Sequence, residues 1–399
     1  MNVSEIAKKI NKAWKEDVLV DGSIIPECKR IGMGSLGVDF PLFGGVPLGQ
    51  ISVFSGLEHS GKSLGACQVM AQYQREFPNN TCVYVDAEGS FSAQKDFIVK
   101  MTGLIVNDPT KFLRYSCAGK SAEEIFQDII ELQQADNIGL IVLDSAPALV
   151  SQSDIDNEFI KDNGMRSSVA KSLGKFCKQM VMYLPKRENA LIIINQVREA
   201  GKTFTGATIY TEPCGHALKY YPSVKVRFGT RCYTLGDKTD LSASKGEEAD
   251  GFRLKMAITK NRLGPVNRGG GFITYRYNTG LDDITDLLEI ALKFDFIHRP
   301  NAQTYELIDL ETGEIYNVEG EELKFRGKQS LFDYLNSHPD FKTNYIKMLS
   351  DHISGINAKS LIDEDTMKEI LKQEASVEGR IKEEEMEEDK EEPTDAAAE

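Results

Sequence analysis

The chain has 399 residues, and 41% of them are apolar, which is enough to bury a sizeable core in two or three domains. The net charge of −14 argues against a nucleic-acid partner until its distribution is considered. Residues 383–399 carry ten acidic residues and one lysine, so the rest of the chain has a net charge of only −5. The acidity is therefore mostly a C-terminal feature, and the folded part has room for basic patches.

The seven cysteines include no CxxC pair, which indicates free thiols in a reducing compartment and argues against a zinc site. The N-terminal segment lacks the apolar stretch of a signal peptide. No run reaches the roughly 18 apolar residues of a membrane span. We therefore expect a soluble, cytoplasmic protein with no membrane partner.

Residues 4–15 predict a short amphipathic helix. Ile6, Ile10 and Trp14 fall on one stripe at helical spacing, and lysines occupy the other faces. One interpretation is a helix that packs on its own domain, and the other is an arm that docks on a neighbouring subunit. We assign residues 1–31 to this N-terminal helix or oligomerisation arm and leave both interpretations open.

Residues 32–290 have the pattern of an α/β core. Continuous apolar runs (ISVFSG, TCVYVDAE, GLIVLDSA and ALIIINQ) alternate with helical stretches such as residues 62–76 and 121–135. Such runs are typical of strands buried on both faces of a parallel sheet, with helices as the connections. A second group (VKVRFGT, FRLKMAITKN and GFITYRYN) predicts antiparallel strands that extend the sheet.

The character of the sequence changes after residue 290. Residues 291–375 combine charged helices with short polar strands, which predicts a small C-terminal α/β domain. Residues 376–399 are too acidic and too poor in aromatic residues to bury a core. We therefore expect a disordered acidic tail there.

The segment Gly56–Ser63 (GLEHSGKS) fits the phosphate-binding pattern GxxxxGK[ST]. It follows an apolar strand and opens a helix, which is the context that this motif requires. In such a P-loop, backbone N–H groups surround the phosphates, the lysine contacts the β- and γ-phosphates, and the serine holds Mg²⁺. The sequence therefore predicts an ATP and Mg²⁺ site, with these phosphate-binding residues: Gly56, Leu57, Glu58, His59, Ser60, Gly61, Lys62 and Ser63.

Three further apolar strands end in polar side chains. Asp144 is expected to position Mg²⁺ together with Ser63, although an aspartate at a strand end also serves as a helix N-cap. Asp86 and Glu88 lie where a carboxylate would orient water toward the γ-phosphate, unless both are solvated loop residues. Gln196 is placed to sense the γ-phosphate, and its alternative is an ordinary turn after a strand.

The chain resembles the RecA family of DNA strand-exchange recombinases, of bacterial or phage type, in a series of segments in the family's order: GSLGVDFPLFGGVPLGQI, GLEHSGKS, VYVDAEGSF, IVLDSAPALV, LIIINQVR, GHALKYYPSV and TKNRLGPV. The resemblance covers about residues 32 to 290. It implies a RecA-like P-loop ATPase core with a mostly parallel, twisted sheet. The small C-terminal domain and acidic tail fit the bacterial form more loosely.

The resemblance also implies roles for individual side chains. Glu88 matches the catalytic glutamate that activates water, and Lys62 and Gln196 complete the catalytic set. Gln196 matches the glutamine that contacts the γ-phosphate and opens the second DNA-binding loop. Lys260 and Arg262 match two basic residues that reach ATP across the subunit interface. The second is lysine in the bacterial form, and a guanidinium there can act as an arginine finger.

Two DNA-binding loops follow from the resemblance, near residues 153–166 and 197–214. The second is rich in glycine and threonine and combines cations with an apolar side chain, as single-strand binding requires. Lysines on a helix behind the first loop would contact DNA phosphates, or are plain surface lysines. The predicted DNA-binding residues are Arg166, Lys171, Lys178, Arg198, Lys202 and Phe204.

One family feature has no counterpart in this chain. The tyrosine that stacks on adenine is replaced by Lys95, which leaves Phe91 or Phe97 as substitutes. Adenine preference is therefore less secure than triphosphate binding. His216 also stands where the family has asparagine.

The resemblance implies a DNA-dependent ATPase that forms helical filaments on single-stranded DNA and exchanges strands with homologous double-stranded DNA. Such a protein acts in recombination, DNA repair and the SOS response, with ATP and Mg²⁺ as its cofactors and further copies of itself as partners. Two alternatives stay open. One is a hexameric helicase or a DNA-repair ATPase with the same fold, and the other is an ATP-binding regulator that does not bind DNA.

Overall fold

The computed structural model describes residues 2–24, 28–156, 168–187, 189–202, 206, 208–236, 238–242, 248–264, 269–354 and 362–391. The α-helices in this part of the chain are α1 (Val3–Trp14), α2 (Leu36–Asp39), α3 (Lys62–Glu76), α4 (Phe91–Thr102), α5 (Ala122–Gln133), α6 (Gln152–Asp156), α7 (Ser168–Arg187), α8 (Gly215–Tyr220), α9 (Asp283–Lys293), α10 (Lys328–Ser337), α11 (Pro339–Ser354) and α12 (Glu364–Glu391). Among these described helices there is no candidate for a membrane span.

The β-strands of the described residues are β1 (Arg30–Ile31), β2 (Val46–Pro47), β3 (Ile51–Gly56), β4 (Thr81–Asp86), β5 (Phe112–Ser116), β6 (Ile138–Asp144), β7 (Ala190–Gln196), β8 (Arg198–Lys202), β9 (Thr208–Thr211), β10 (Val224–Phe228), β11 (Cys232–Leu235), β12 (Lys238–Leu241), β13 (Gly251–Asn261), β14 (Gly270–Arg276), β15 (Gly280–Leu281), β16 (Ile297–Asn301), β17 (Thr304–Leu307), β18 (Asn317–Val318), β19 (Glu321–Glu322) and β20 (Lys324–Arg326).

The largest sheet has a parallel centre and an antiparallel extension. Its parallel strands lie in the order β10-β3-β7-β6-β4-β5. Strand β13 pairs antiparallel with β10, β11 and β14, and β12 and β15 continue the sheet. This topology confirms the predicted α/β fold with a mostly parallel sheet. The antiparallel part begins one strand later than predicted, because β10 runs parallel to β3.

The order of the central strands decides where a ligand site can form. Strands β3, β7, β6 and β4 are consecutive neighbours and run in the same direction. Their carboxyl ends therefore meet at one edge of the sheet, which is the edge where open α/β sheets bind ligands. The P-loop and the polar strand ends predicted from the sequence all follow these strands.

Apolar cores cover both faces of this sheet. Phe54 and Tyr84 face the core that includes α3, whereas Val53 and Val85 face the core that includes α5 and α7. Neighbouring residues of one strand point to opposite faces, so a strand covered on both faces must be continuously apolar. This explains why the central strands show no hydrophobic alternation in the sequence.

A third apolar core holds the C-terminal region against the α/β core. It combines Leu287 and Ile290 of α9 with Leu331 of α10, Leu349 of α11 and Phe272 of β14. The predicted boundary between residues 290 and 291 therefore lies inside α9, whose apolar face serves both parts. The division into domains remains a prediction.

Helix α12 extends to Glu391 and so includes Ser376–Glu391 of the segment 376–399 for which we expect a disordered tail. Glutamate and lysine are good helix formers, so acidity alone does not prevent a helix. Ile370, Gln373 and Val377 are buried, which anchors the first part of α12 on the folded core. Residues 392–399 lie outside the described residues.

The N-terminal helix α1 is capped but not buried. Asn2 and Glu5 form a reciprocal capping box that satisfies two N–H groups at its start. No residue of α1, all of which the structure describes, is buried, and Trp14 is 71% exposed. This geometry disfavours the interpretation in which the helix packs on its own domain.

Candidate functional site: a P-loop pocket

The P-loop connects the end of β3 to the start of α3, as the sequence predicts. Gly61 has a φ of +92°, a left-handed conformation that glycine adopts without strain. A Cβ atom on Gly61 would also lie 2.6 Å from Leu254 Cδ2. This position therefore requires glycine, and the loop keeps its backbone free to surround an anion at the N-terminus of α3.

Lys62 is held at the base of the loop. Its Nζ donates a hydrogen bond to the carbonyl of Leu57 at 2.6 Å. Burial lowers the pKa of Lys62, whereas the nearby carboxylates of Asp144 and Glu88 act in the opposite direction. The ammonium group thus lies between the loop backbone and the two acidic strand ends.

The polar ends of three neighbouring strands meet at the P-loop. Asp144 ends β6, Gln196 ends β7, and Glu88 follows β4 by two residues. All three line the same pocket as Lys62 and Ser63. The pocket also contains Glu58, His59 and Gly61 of the P-loop. The structure therefore brings together the predicted phosphate, metal and catalytic residues of one chain.

Asp144 and Ser63 provide oxygen ligands of the kind that Mg²⁺ prefers. Their side chains are hydrogen-bonded to each other, and Tyr84 Oη donates a second hydrogen bond to Asp144 Oδ2. Burial raises the pKa of Asp144, and the hydrogen bonds from Ser63 and Tyr84 lower it. A buried carboxylate with two hydroxyl donors, one of them the adjacent serine, fits the Mg²⁺ site of a P-loop protein.

Glu88 is joined to two other strands by hydrogen bonds. Its Oε1 accepts from Ser145 Oγ at 2.5 Å and from Gln196 Nε2 at 2.8 Å. Gln196 Oε1 in turn accepts from Arg198 Nη2 at 3.2 Å. A continuous set of hydrogen bonds therefore runs from the carboxylate in the pocket to the first residue of β8.

Asp86, the other carboxylate considered for water activation, has a structural role. It is buried and forms an ion pair with Arg114, with 2.6 Å between Oδ2 of Asp86 and Nη2 of Arg114. Its oxygens also accept hydrogen bonds from the backbone N–H groups of Ser90 and Phe91. These contacts occupy its acceptors, so Glu88 is the one of these two carboxylates that lines the pocket.

The structure also distinguishes Phe91 from Phe97, the two phenylalanines proposed as substitutes for the tyrosine that stacks on adenine. Phe91 is 4% exposed and packs between Tyr84 and Phe112, with ring centroids 4.6 and 5.4 Å away. Phe97 is 40% exposed and lines the pocket. Phe97 is therefore the aromatic ring that a ligand in the pocket can reach.

Lys260 and Arg262 do not line the pocket within the chain. Lys260 Nζ donates to the carbonyl of Lys219 at 2.5 Å, and Arg262 Nη2 donates to the carbonyl of Tyr220 at 2.6 Å. Both cations thus lie at the C-terminal end of α8, where carbonyl groups attract positive charge. Burial, with a smaller contribution from Arg262, lowers the pKa of Lys260 to about 8.

The predicted DNA-binding residues lie on two elements. Lys171 and Lys178 are exposed on α7 at a spacing of two helical turns. Arg198 and Lys202 are exposed on β8, which pairs antiparallel with β9 in a hairpin. The first predicted loop begins with the short helix α6, and its later part lies outside the described residues. Arg166 and Phe204 also lie outside them.

The base of the β8–β9 hairpin is held by a buried charged cluster. Glu212 follows β9 and faces Lys225 and Arg227 of β10, and Glu374 of α12 completes the group. Lys225 Nζ lies 3.0 Å from Glu212 Oε2 and 2.7 Å from Glu374 Oε1. Ser376 Oγ also accepts a hydrogen bond from the backbone N–H of Tyr210 at 2.8 Å.

Sequence reasoning missed several residues of the site. Ser145 is a plain serine after a strand, and nothing in the sequence indicates that it contacts Glu88. Tyr84 reads as one more apolar residue of a buried strand. Arg231 lines the pocket, although it lies far along the chain from the P-loop. The continuous strand pattern did predict that residues 83–85 are buried, but not the partner of the Tyr84 hydroxyl.

The fold and the pocket together define a P-loop ATPase. The chain matches the RecA N-terminal domain over residues 2–282 and belongs to the RecA family, whose members are ATPases of DNA recombination and repair. The predicted resemblance is therefore confirmed.

The similar proteins are distant relatives. The chain is 28% identical to DNA repair protein recA homolog 3, mitochondrial, of Arabidopsis thaliana over 323 residues. This match covers 80% of this chain and 67% of that protein. It is 25% identical over 338 residues to Protein RecA of Rickettsia canadensis, with 84% and 88% of the two chains covered. The crystal structure of the RadB recombinase superposes with a TM-score of 0.42 at 18% identity, over 62% of this chain and 97% of that one.

Proposed function

We propose that this chain is a DNA-dependent ATPase that polymerises on single-stranded DNA and exchanges strands with a homologous duplex. ATP would bind through Lys62 and Ser63, with Mg²⁺ held by Ser63 and Asp144. Bound Mg²⁺ would neutralise charge that develops on the β- and γ-phosphates. Glu88 would accept the proton of the attacking water.

The observation that carries this proposal is the hydrogen-bonded path from the pocket to the hairpin. Glu88 and Gln196 share a hydrogen bond, and Gln196 contacts Arg198 at the start of β8. A γ-phosphate that attracts the Gln196 amide would disturb both contacts at once. The hairpin would then change the position in which Arg198 and Lys202 meet DNA. Order–disorder switches in nucleotide-binding proteins act in the same way.

The DNA surface would combine three sets of residues. Lys171 and Lys178 would contact phosphates from α7, and Arg198 and Lys202 would do so from the hairpin. Arg166 and Phe204 remain part of this proposal from the sequence alone. The net charge of −5 outside residues 383–399 is compatible with a locally basic surface of this kind.

Filament formation would complete the site. Lys260 and Arg262 do not reach the P-loop of their own chain, so we propose that they contact ATP bound to the neighbouring subunit. A guanidinium and an ammonium at the γ-phosphate would stabilise the charge of the transition state. The exposed stripe of α1, with Ile6 and Trp14, would dock on another neighbour.

The decisive experiment measures the ATPase rate of the full chain with and without single-stranded DNA, alongside electron microscopy of the mixture. The proposal expects stimulation by DNA, helical filaments and exchange of strands between a circular single strand and a linear duplex. Rings that unwind duplexes would instead identify a helicase. An ATPase rate unaffected by DNA, with no assembly, would identify a regulator.

A variant of Gln196 separates ATP binding from the response of the ATPase rate to DNA. Gln196→Ala should bind ATP with Mg²⁺ as the unmodified chain does, but its ATPase rate should no longer respond to single-stranded DNA. Gln127→Ala on the exposed face of α5 is the matched control and should behave normally. A DNA response that survives in Gln196→Ala would contradict the proposed path.

A further inference from the structure

Arg30 of β1 is hydrogen-bonded to residues 260–264, which carry the two cations assigned to the ATP of the neighbouring subunit and which we call the basic turn. Its Nη2 donates to the carbonyl of Leu263 at 3.1 Å, 233 residues further along the chain. Its Nη1 donates to the carbonyl of Leu42, also at 3.1 Å. A guanidinium is planar and presents its donors in a fixed geometry, so the two bonds hold the two carbonyl groups at a set distance. Arg30 therefore fixes the basic turn to the segment between β1 and β2.

The beginning and the end of the basic turn are held by different parts of the chain. Asn261 Oδ1 accepts from the N–H of Leu263 at 3.0 Å, and the N–H of Arg262 donates to the carbonyl of Ser223 at 2.9 Å. An asparagine that bonds to the backbone two residues onward closes a tight local turn. The carbonyl of Leu263 and the backbone of Gly264 are held instead from the other side, by residues that precede β2.

Phe43 supports the end of the basic turn together with Arg30. A Cβ atom on Gly264 would lie 3.1 Å from three atoms of the Phe43 ring, so the ring packs directly on the glycine backbone. Phe43 has a φ of +57°, a left-handed conformation that is unfavourable for a residue with a Cβ atom. Such a conformation persists only where the surrounding contacts hold it, and it is found disproportionately at functional sites. The ring and the guanidinium thus reach the basic turn from one short part of the chain, residues 30–43.

The basic turn needs this support because its two long side chains carry like charges. Burial, and then the charges of Arg262 and Lys225, lower the pKa of Lys260 to about 8. In the part of the chain that the structure describes, the donors of Lys260 and Arg262 contact backbone carbonyls of α8 and no carboxylate. Two cations without a carboxylate are suited to receive an anion from outside the chain. The direction in which they point depends on how the basic turn is held.

We propose that Arg30 is a positioning residue for ATP hydrolysis across the subunit interface. By holding the carbonyl of Leu263, it directs Lys260 and Arg262 at the γ-phosphate bound to the neighbouring subunit. Arg30 acts only through the basic turn and contacts neither the nucleotide nor the attacking water. This inference rests on the proposed function, in which the two cations reach the ATP of the neighbour. Misplacing such a group by about 1 Å can cost about 100-fold in rate.

The test uses filaments in which two variants of the full chain are mixed on single-stranded DNA. Arg30→Ala should bind ATP normally when dispersed, because its P-loop pocket is unchanged, but its filaments should hydrolyse ATP about 10- to 100-fold more slowly. The second variant, Glu88→Gln, should bind ATP without hydrolysing it and carries an intact basic turn. In an excess of Glu88→Gln, most Arg30→Ala subunits have a neighbour of that kind. The rate per Arg30→Ala subunit should therefore recover to that of the unmodified chain diluted in the same way.

Two further variants keep the test independent of how well Arg30→Ala folds. Arg30→Lys keeps the charge but replaces the planar fork with a single flexible ammonium group, so its filaments should be faster than those of Arg30→Ala and slower than the unmodified ones. Gly264→Ala pushes the basic turn away from the Phe43 ring. Its filaments should show a loss of rate that an excess of Glu88→Gln also restores.

The controls separate this inference from the proposed function. Arg75→Ala removes another arginine that donates to a backbone carbonyl, that of Thr102 at 3.2 Å, and should leave the rate normal. A normal rate in Arg30→Ala filaments would overturn the inference. So would a slow rate that persists in an excess of Glu88→Gln, provided that Arg262→Ala is restored under the same conditions. If Arg262→Ala is not restored either, the cations do not act on the neighbouring subunit, and the proposed function fails together with the inference.

Discussion

Gln196 donates a hydrogen bond to Glu88, with 2.8 Å between Nε2 and Oε1, and so joins the ends of two strands that are not sheet neighbours. Strand β6 lies between β4 and β7, and its own next residue, Ser145, donates to the same oxygen. The Glu88 carboxylate is therefore oriented by two donors from two different strands. A general base has to be placed in this way before its basicity can be used.

Glu88→Gln should abolish most of the turnover while ATP binding is retained. The amide keeps the size of the side chain but cannot accept a proton from water, and a general base typically contributes about 100- to 10,000-fold to the rate. Steady-state kinetics with single-stranded DNA measure turnover, and calorimetry measures ATP binding. Filaments should still assemble and should disassemble more slowly.

Glu131→Gln on the exposed face of α5 is the control for Glu88→Gln and should have the rate of the unmodified chain. Normal turnover in Glu88→Gln would refute the role given to that residue. A loss of ATP binding in the same variant would indicate that Glu88 stabilises the bound ATP in the ground state rather than accepting a proton in the transition state.

Tyr84→Phe should weaken Mg²⁺ binding in the ATP complex by about tenfold, the effect of losing an outer-shell partner of a metal ligand. The substitution removes one hydroxyl and leaves the ring, which packs against Phe91. Asp144 would lose one of the two hydrogen bonds that lower its pKa, so its pKa should rise above the value already raised by burial. A Mg²⁺ titration of the binding of a non-hydrolysable ATP analogue measures the effect.

The loss in Tyr84→Phe should also depend on pH. A higher pKa means that Asp144 takes up a proton at a higher pH, so the variant should fall further behind the unmodified chain at pH 6 than at pH 8. Tyr345→Phe removes a buried hydroxyl that donates to the carbonyl of Phe296, remote from the pocket, and is the matched control. Identical Mg²⁺ titrations for Tyr84→Phe and the unmodified chain would exclude the positioning role.

The part of the site that the sequence predicts is the part built from contiguous residues. Gly56–Ser63 form the P-loop by themselves, and the polar ends of apolar runs predict Asp144 and Gln196 at one sheet edge. The Tyr84–Asp144 contact was not predictable in this way. It depends on β4 lying beside β6 with Tyr84 opposite Val142, a register that long-range pairing decides.

The C-terminal helix shows the limit of composition as a guide. A count of acidic residues predicts disorder beyond residue 375, because it treats every glutamate as solvated. Glu374 lies just before that point and faces two buried cations that are about 150 residues away in the sequence. This three-dimensional pairing with Lys225 and Arg227, together with the burial of Ile370 and Val377, explains why the first part of α12 packs on the folded core.

Glu374→Gln should lower the free energy of unfolding by about 3–5 kcal/mol, the usual effect of removing one partner of a buried ion pair. Its side chain is 12% exposed, and the change leaves Lys225 and Arg227 with Glu212 as their remaining partner in the cluster. Denaturant unfolding measures the loss. Glu364→Gln removes an acid that is 91% exposed at the start of α12 and should change stability by less than about 0.5 kcal/mol.

The pH dependence of stability offers a second measurement on Glu374. Burial by itself raises its pKa, but Arg227 and Lys225 outweigh burial and hold the pKa below its ordinary value. A lowered pKa in the folded state gives stability that is present above the unfolded pKa of about 4.3 and is lost as the pH falls below it. Glu374→Gln should flatten this acid limb, and an unchanged limb would show that the cluster does not act as proposed.

The pKa of Lys260, lowered to about 8, predicts how the ATPase rate of filaments depends on pH. In the free chain the charge of its ammonium group is present below about pH 8 and is lost as the pH rises through that value. If the ammonium group reaches the γ-phosphate of the neighbouring subunit, that anion raises the pKa of Lys260 again, because an opposite charge favours the charged form. The DNA-stimulated rate should therefore fall only above pH 8, as the ammonium group loses its proton. Lys260→Arg should remove this fall, because a guanidinium stays charged throughout the range.

The comparison of Lys260→Arg with the unmodified chain also requires an ATPase rate that does not depend on the neighbouring subunit. Without DNA, under conditions where the chain is dispersed, the residual ATPase rate should show the same pH profile in the unmodified chain and in Lys260→Arg. Lys219→Arg on α8 is the control for a general effect of replacing a lysine in this region, and its filaments should keep the fall above pH 8. If that fall persists in Lys260→Arg filaments, another group titrates there, and the contact across the subunit interface must be assigned to Arg262 alone.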